Sequence, residues 1–125
     1  MKQILLVSLI LFGTVLISCK KNSIPGNYYG TYNYSYTAPG DIVQNSSTET
    51  AVVTLTGSQL KINIAGDIYN APLNGTTFSE LNTLAGVQVS TSGTIDGKTL
   101  NLTYSELDGA LSSNLSISFS GSKVE

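Results

Sequence analysis

Cys19 is the only thiol in a chain of 125 residues that contains no histidine. A thiolate is a nucleophile, but without an imidazole neither a Ser-His nor a Cys-His pair can be assembled, and His/Cys metal sites are excluded. Carboxylates are the remaining acid–base groups. Glu106 and Asp108 lie two apart and would share one face of a strand, next to Gly109 at an expected turn. A general-acid pair needs one of them buried with its pKa raised. Solvated turn carboxylates are the simpler reading, and the chain is read as non-catalytic. Asp96-Gly97 and Asp108-Gly109 each match a fragment of a calcium loop but lack its repeated acidic positions, so no metal is expected. The other chemistry-bearing set is the row of phenols in "GNYYGTYNYSYT". Tyr28, Tyr32, Tyr34 and Tyr36 share a parity, so one regular strand puts all four on one face, whereas a bulge at Gly30 breaks that register. Such rings either pack as core and rim or line a ligand pocket, because a phenol has an apolar body and a polar tip.

Cys19 closes the stretch "LFGTVLIS" and precedes Lys20 and Lys21. Upstream, Met1 and Lys2 supply a positive start, and Ile4 to Ile17 is almost wholly apolar. Fourteen residues at a helical rise of about 1.5 Å cover about 21 Å, short of a hydrocarbon core of roughly 30 Å. A cleaved export signal is expected, not a permanent span. The boundary Leu16-Ile17-Ser18-Cys19 resembles the bacterial lipobox, in which the cysteine sulfur accepts lipid and becomes the mature N-terminus. With no second cysteine there is no internal disulfide, and lipidation accounts for the single leftover thiol. One acyl chain, such as palmitate, holds a protein only marginally, so the two or three that the resemblance implies anchor it firmly. Residues 1–18 are thus read as signal peptide, 19–25 as lipidated cysteine and tether, and 26–125 as one domain. No cofactor is expected beyond the covalent lipid on Cys19. The implied location is the bacterial cell envelope, by default the outer membrane facing the periplasm, with the cell surface as the alternative.

Removing residues 1–18 takes away Lys2 and no acid, which leaves five lysines against eight carboxylates and a net charge of −3. A phosphate-binding surface needs clustered basic groups, and no nucleic-acid partner is expected. Lys20 and Lys21 suit either anionic headgroups or a solvated tether. The 98 residues from Gly26 to Lys123 suffice for one domain. The seven-residue tether "KKNSIPG" keeps that domain within about 25 Å of the bilayer.

Those residues are to be positioned by strands. "QLKINIA", "TLNLTYS" and "NLSISFS" alternate apolar and polar side chains, and "ETAVVTLT" is β-branched and apolar. "TGSQ", "DGK" and Asp108-Gly109 read as hairpin turns. Residues 38–47, "APGDIVQNSS", read as the least ordered part and as a long loop; Asn70 to Gly86 reads as a short helical turn or an irregular strand. Seven or eight antiparallel strands are expected, forming a small meander barrel or sandwich. Its inward positions should carry Leu55, Leu60, Ile62, Ile64, Ile95, Leu100, Leu102, Leu115, Ile117 and Phe119, which leaves room only for a small pocket at one end or a surface groove.

The lipobox, the "GNYYGTY" opening, the short strands and the closing "SFSGSK" together resemble the small lipoproteins of Bacteroidota that carry a calycin-like or lipocalin-like domain. In lipocalins a Gly-x-Trp closes one barrel end against a basic residue after the last strand. Gly26, Asn27 and Tyr28 stand in that place here, and Lys123 in the basic one; tryptophan and arginine are absent. Apolar walls with a few phenols suit a small amphiphile and an exposed tyrosine row suits a glycan, so the chain is read as a non-catalytic binding protein held to the membrane by its lipid, with Tyr28, Tyr32, Tyr34 and Tyr36 as candidate contacts. The competing reading is a module that binds or inhibits a protein partner of the envelope through an exposed apolar patch or a free strand edge.

Overall fold

A computed structural model describes residues 23–124, so the signal segment, Cys19, Lys20 and Lys21 lie outside the described residues. Eight strands follow one another in a meander: β1 Gly26–Ala38, β2 Asp41–Thr56, β3 Gln59–Ile64, β4 Asp67–Asn74, β5 Thr77–Leu84, β6 Val87–Ile95, β7 Thr99–Asp108 and β8 Ser113–Val124. Each pairs antiparallel with the next, and β8 pairs with β1, giving a closed barrel and not a sandwich. Alternation produces this result directly. Leu60, Ile62, Ile64, Ile95, Leu100, Leu102, Ile117 and Phe119 are buried, and Leu55 and Leu115 pack partly buried against them. The outward positions between them are mostly serine, threonine and asparagine. Apolar inside and polar outside is the reverse of a barrel whose outer face meets lipid.

One segment differs from expectation, and a second is decided between its two readings. Residues 38–47 are not a loop: the turn is confined to Pro39-Gly40, and β2 starts at Asp41 with an unbroken ladder onto β1. Proline presets the first turn position and Gly40 supplies the positive φ of +80° at the second, so the polar run that follows is free to extend. Asn70 to Gly86 takes the strand alternative of its two readings: it holds the end of β4, the Gly75-Thr76 turn and β5. Leu81 and Leu84, whose spacing would also fit a helical turn, are exposed. The other turns fall as expected. In the β6–β7 turn the Asp96 carboxylate accepts the backbone N–H of Thr99 at 2.8 Å and of Lys98 at 2.9 Å, which holds its pKa below the usual value.

The ring of eight strands is complete over only half its height. β3 joins β2 only from Ala51 to Thr56, and β4 meets β5 only through Leu73↔Phe78 and Asn74↔Thr77. Above that level the wall is the six-stranded sheet β2-β1-β8-β7-β6-β5, with Asp41 to Thr50 of β2 and Ser79 to Leu84 of β5 as its unpaired edges. The complete half is filled by its own side chains, and the other half is open. The closed end is sealed by Tyr28, which is wholly buried and donates its hydroxyl to Ile24 O at 2.7 Å. Lys123 Nζ lies 5.9 Å from the centre of that ring and donates to Ser23 O.

Candidate functional site

β1 keeps its register through Gly30, which pairs with Glu49 and Gly121 without a bulge. All four tyrosines therefore face inward, at different depths. Tyr28 belongs to the closed-end core and is out of reach of any ligand at the open end. Tyr32 sits at mid-height opposite Phe119 and packs against the core. Tyr34 and Tyr36 reach the open half, opposite Ile117 and Leu115.

The same ladder carries across the sheet. Ile117 faces Tyr104, and Leu115 faces Glu106, so one patch of inner wall combines phenols, a carboxylate and aliphatic carbon. Two adjoining clefts of about 230 Å³ each occupy this patch and share Tyr34, Glu106 and Leu115. The first is completed by Tyr69, Tyr104 and Asp67, the second by Tyr36, Val87 and Asp108. Tyr69 and Tyr104 meet edge to face, with centroids 5.1 Å apart and planes at 64°. Tyr104 donates its hydroxyl to Glu106 Oε1 at 2.5 Å. Glu106, expected as a solvated turn carboxylate, is instead half-buried on the inner wall, whereas Asp108 is the turn carboxylate expected, accepting the Ala110 and Leu111 backbone N–H groups while it lines the second cleft. Tyr69 and Tyr104 were not among the sequence candidates. Tyr104 shares the parity of Leu100 and Leu102, which was a usable signal, whereas Tyr69 lies on a strand that the sequence pattern left undefined.

Tyr69 is 5% exposed, and its hydroxyl is buried without a hydrogen-bond partner. The Tyr32 phenol lies close enough to bear on its proton, yet no group completes a bond to Tyr69 Oη. Burial, followed by that phenol and Asp67, pushes the Tyr69 pKa far above its usual 10.0. Burial and then Glu106 do the same for Tyr104. A raised folded-state pKa means that the folded chain holds the proton more tightly than the unfolded one. The contribution of each phenol is therefore intact below the unfolded value and is lost as pH rises beyond it. Unfolding free energy should fall above pH ~10 by up to about 1.4 kcal/mol per pH unit for each such phenol. Urea titrations at stepped alkaline pH check this, and Tyr69→Phe should flatten the slope; an unchanged slope in that variant would refute the assignment.

The larger depression, about 380 Å³, lies on the outer face of β2-β1-β8 and is lined mainly by Asn33, Ser35, Gln44, Ser46, Ser116 and Ser118. It has amides and hydroxyls but no inner aromatic wall, and the open-end clefts are the more built site.

Among the described residues, no three carboxylates come together in a group able to hold a metal ion. No protein-family profile matches the chain, and no curated protein matches it. A solved structure that does match is HpuA from Kingella denitrificans in complex with human haemoglobin, at 16% identity and a TM-score of 0.47. The match covers 86% of this chain and 45% of that one, so the chain spans less than half of that protein's length.

Proposed function

We propose that this chain is a non-catalytic binding protein of the bacterial cell envelope, anchored by lipid on Cys19, that takes a small amphiphilic ligand at the open end of its barrel. The observation that carries the reading is the division of the barrel into a filled, sealed half and an open half whose inner wall bears Tyr34, Tyr36, Tyr69 and Tyr104 beside Leu115 and Ile117. Such a wall offers apolar area with a few fixed polar tips, the usual composition of a small-molecule site. A glycan would suit the outer amide and hydroxyl groove better than the enclosed clefts. The chain enters at the closed end, where Ser23 and Ile24 lie against Lys123 and Tyr28. Cys19 is four residues earlier, within about 14 Å of chain, so the anchor belongs on the closed side and the mouth faces away from the bilayer. The Tyr28–Lys123 contact at that end also supports a lipocalin-type relationship. The outer membrane facing the periplasm is the default location.

A second reading, a protein-binding module, is favoured by the unpaired edges of β2 and β5 and by the exposed Ile42, Leu81, Leu84 and Leu111. Mass spectrometry on the full chain purified from envelope membranes tests the proposal in one preparation. Under denaturing conditions the N-terminal peptide should begin at Cys19 and carry acyl mass; an unmodified or uncleaved terminus would overturn the anchor. Under native conditions a further small-molecule mass should accompany the protein and vanish on denaturation. A bound polypeptide in its place would establish the second reading.

A further inference from the structure

Charge is segregated along the barrel axis. Glu49, Asp67, Glu80, Glu106 and Asp108 all lie in the open half at positions that register with the inner face, and Asp41 stands at its rim. The described lysines lie elsewhere: Lys61 on the short β3, Lys98 in a closed-end turn and Lys123 beside Tyr28. Carboxylates that share one mouth with no lysine among them make it attractive to a cation. Metal coordination does not use this arrangement, because no three of these groups converge. Aromatic rings do use it. Phenol faces attract an organic cation through their quadrupole, and nearby carboxylates supply the balancing charge.

Tyr69 is the independent sign that this cleft is built for an occupant. Its side chain lines the cleft, it is more than nine-tenths buried, and its hydroxyl has no partner. A buried polar atom left unpaired is costly and uncommon, and it is explained where a ligand completes it. We infer that the open end binds an organic ammonium, a protonated alkylamine whose head sits among Tyr34, Tyr69, Tyr104 and Glu106, with an N–H to donate to Tyr69 Oη, and whose chain lies along Leu115 and Ile117. The inference rests on the amphiphile reading and adds the sign of the head group. An anionic amphiphile would meet Asp67 and Glu106 directly, and a neutral one would cover those carboxylates without compensating them.

Hexylammonium, hexanol and hexyl sulfate share one chain and differ in head charge. Each is titrated into the full-length lipoprotein held in a lipid nanodisc, with tyrosine fluorescence as the readout and empty nanodiscs as the blank. The ammonium should bind at least about tenfold tighter than hexanol, weakening as salt is added, and hexyl sulfate no better than hexanol. Glu106→Gln, which retains an acceptor for Tyr104, should reduce ammonium affinity about tenfold more than it reduces hexanol affinity. Asp96→Asn, at the closed end, should leave all three unchanged. Equal affinity for ammonium and hexanol would overturn the cationic head group while leaving the amphiphile site standing. Failure of every probe to bind would overturn both.

Discussion

Alanine in place of Phe119 is expected to lower the unfolding free energy by about 3–5 kcal/mol, the range for removing a buried aromatic ring, and to fall in its upper half. Phe119 is 2% exposed and lies between Tyr32 on β1 and Leu102 on β7, so its ring joins the sealed core to the first tyrosine layer above it. The space around it is shaped by missing side chains. A Cβ built on Gly121 would stand 2.7 Å from the Phe119 ring carbons Cε1 and Cζ, so the ring occupies room that Gly121 leaves free. Gly30, opposite Gly121, likewise has nothing to swing into a void. On the side of the two glycines the lost ring therefore leaves a cavity that only backbone could fill, the situation in which large-to-small substitutions cost most. Urea denaturation of Phe119→Ala and Phe119→Leu checks this. The leucine variant should recover more than half the loss, and an alanine cost below about 2 kcal/mol would mean that the two glycine-bearing strands collapse onto each other.

The parts of the fold that were legible are those where alternation meets burial on one side only. Leu100 and Leu102, then Ile117 and Phe119, declare both strand and inner face because each neighbour is polar. Residues 41–50 did not declare themselves. In that arm β2 has one neighbour instead of two and both its faces are largely exposed, so no alternation is required of it and the composition resembles a loop. Leu81 and Leu84 left their segment ambiguous for the opposite reason: they are apolar residues left in solvent at an unpaired edge. For the site, parity put Tyr34 and Tyr36 on one face, and the register makes that face the inner wall. Parity cannot separate them from Tyr28, because height along the barrel axis decides which inward ring is core and which is mouth. Height is set by where β3 and β4 end, and thus by pairing between residues distant in sequence. The same applies to Glu106, which looks like a turn residue until the register sets it opposite Leu115 and so near Tyr36.

Gly30→Ala should be among the most damaging single-methyl changes available to this chain, costing at least about 3 kcal/mol, the upper end of what overpacking imposes. In an ordinary strand the added methyl would help slightly, by restricting the unfolded chain. Here the built Cβ stands 1.9 Å from Ser120 O and 2.4 Å from Gly121 Cα, and both obstacles are backbone of the strand that closes the barrel. No rotamer relieves such an overlap; β8 itself has to move away from β1. That movement would strain a seam of eleven register pairs, from Asn27↔Val124 to Thr37↔Asn114, and would carry Ile117 and Leu115 away from Tyr34 and Tyr36. A close approach at Gly30 is thus what lets the tyrosine row and the aliphatic row form one wall. Gly109→Ala is the matched control, since a Cβ at Gly109 meets nothing within 4 Å and the site is an exposed turn. Its unfolding midpoint should stay with the parent chain while that of Gly30→Ala drops sharply. If the two variants instead unfold together, the β1–β8 seam yields freely, and the tyrosine wall of the open end owes its shape to something other than this contact.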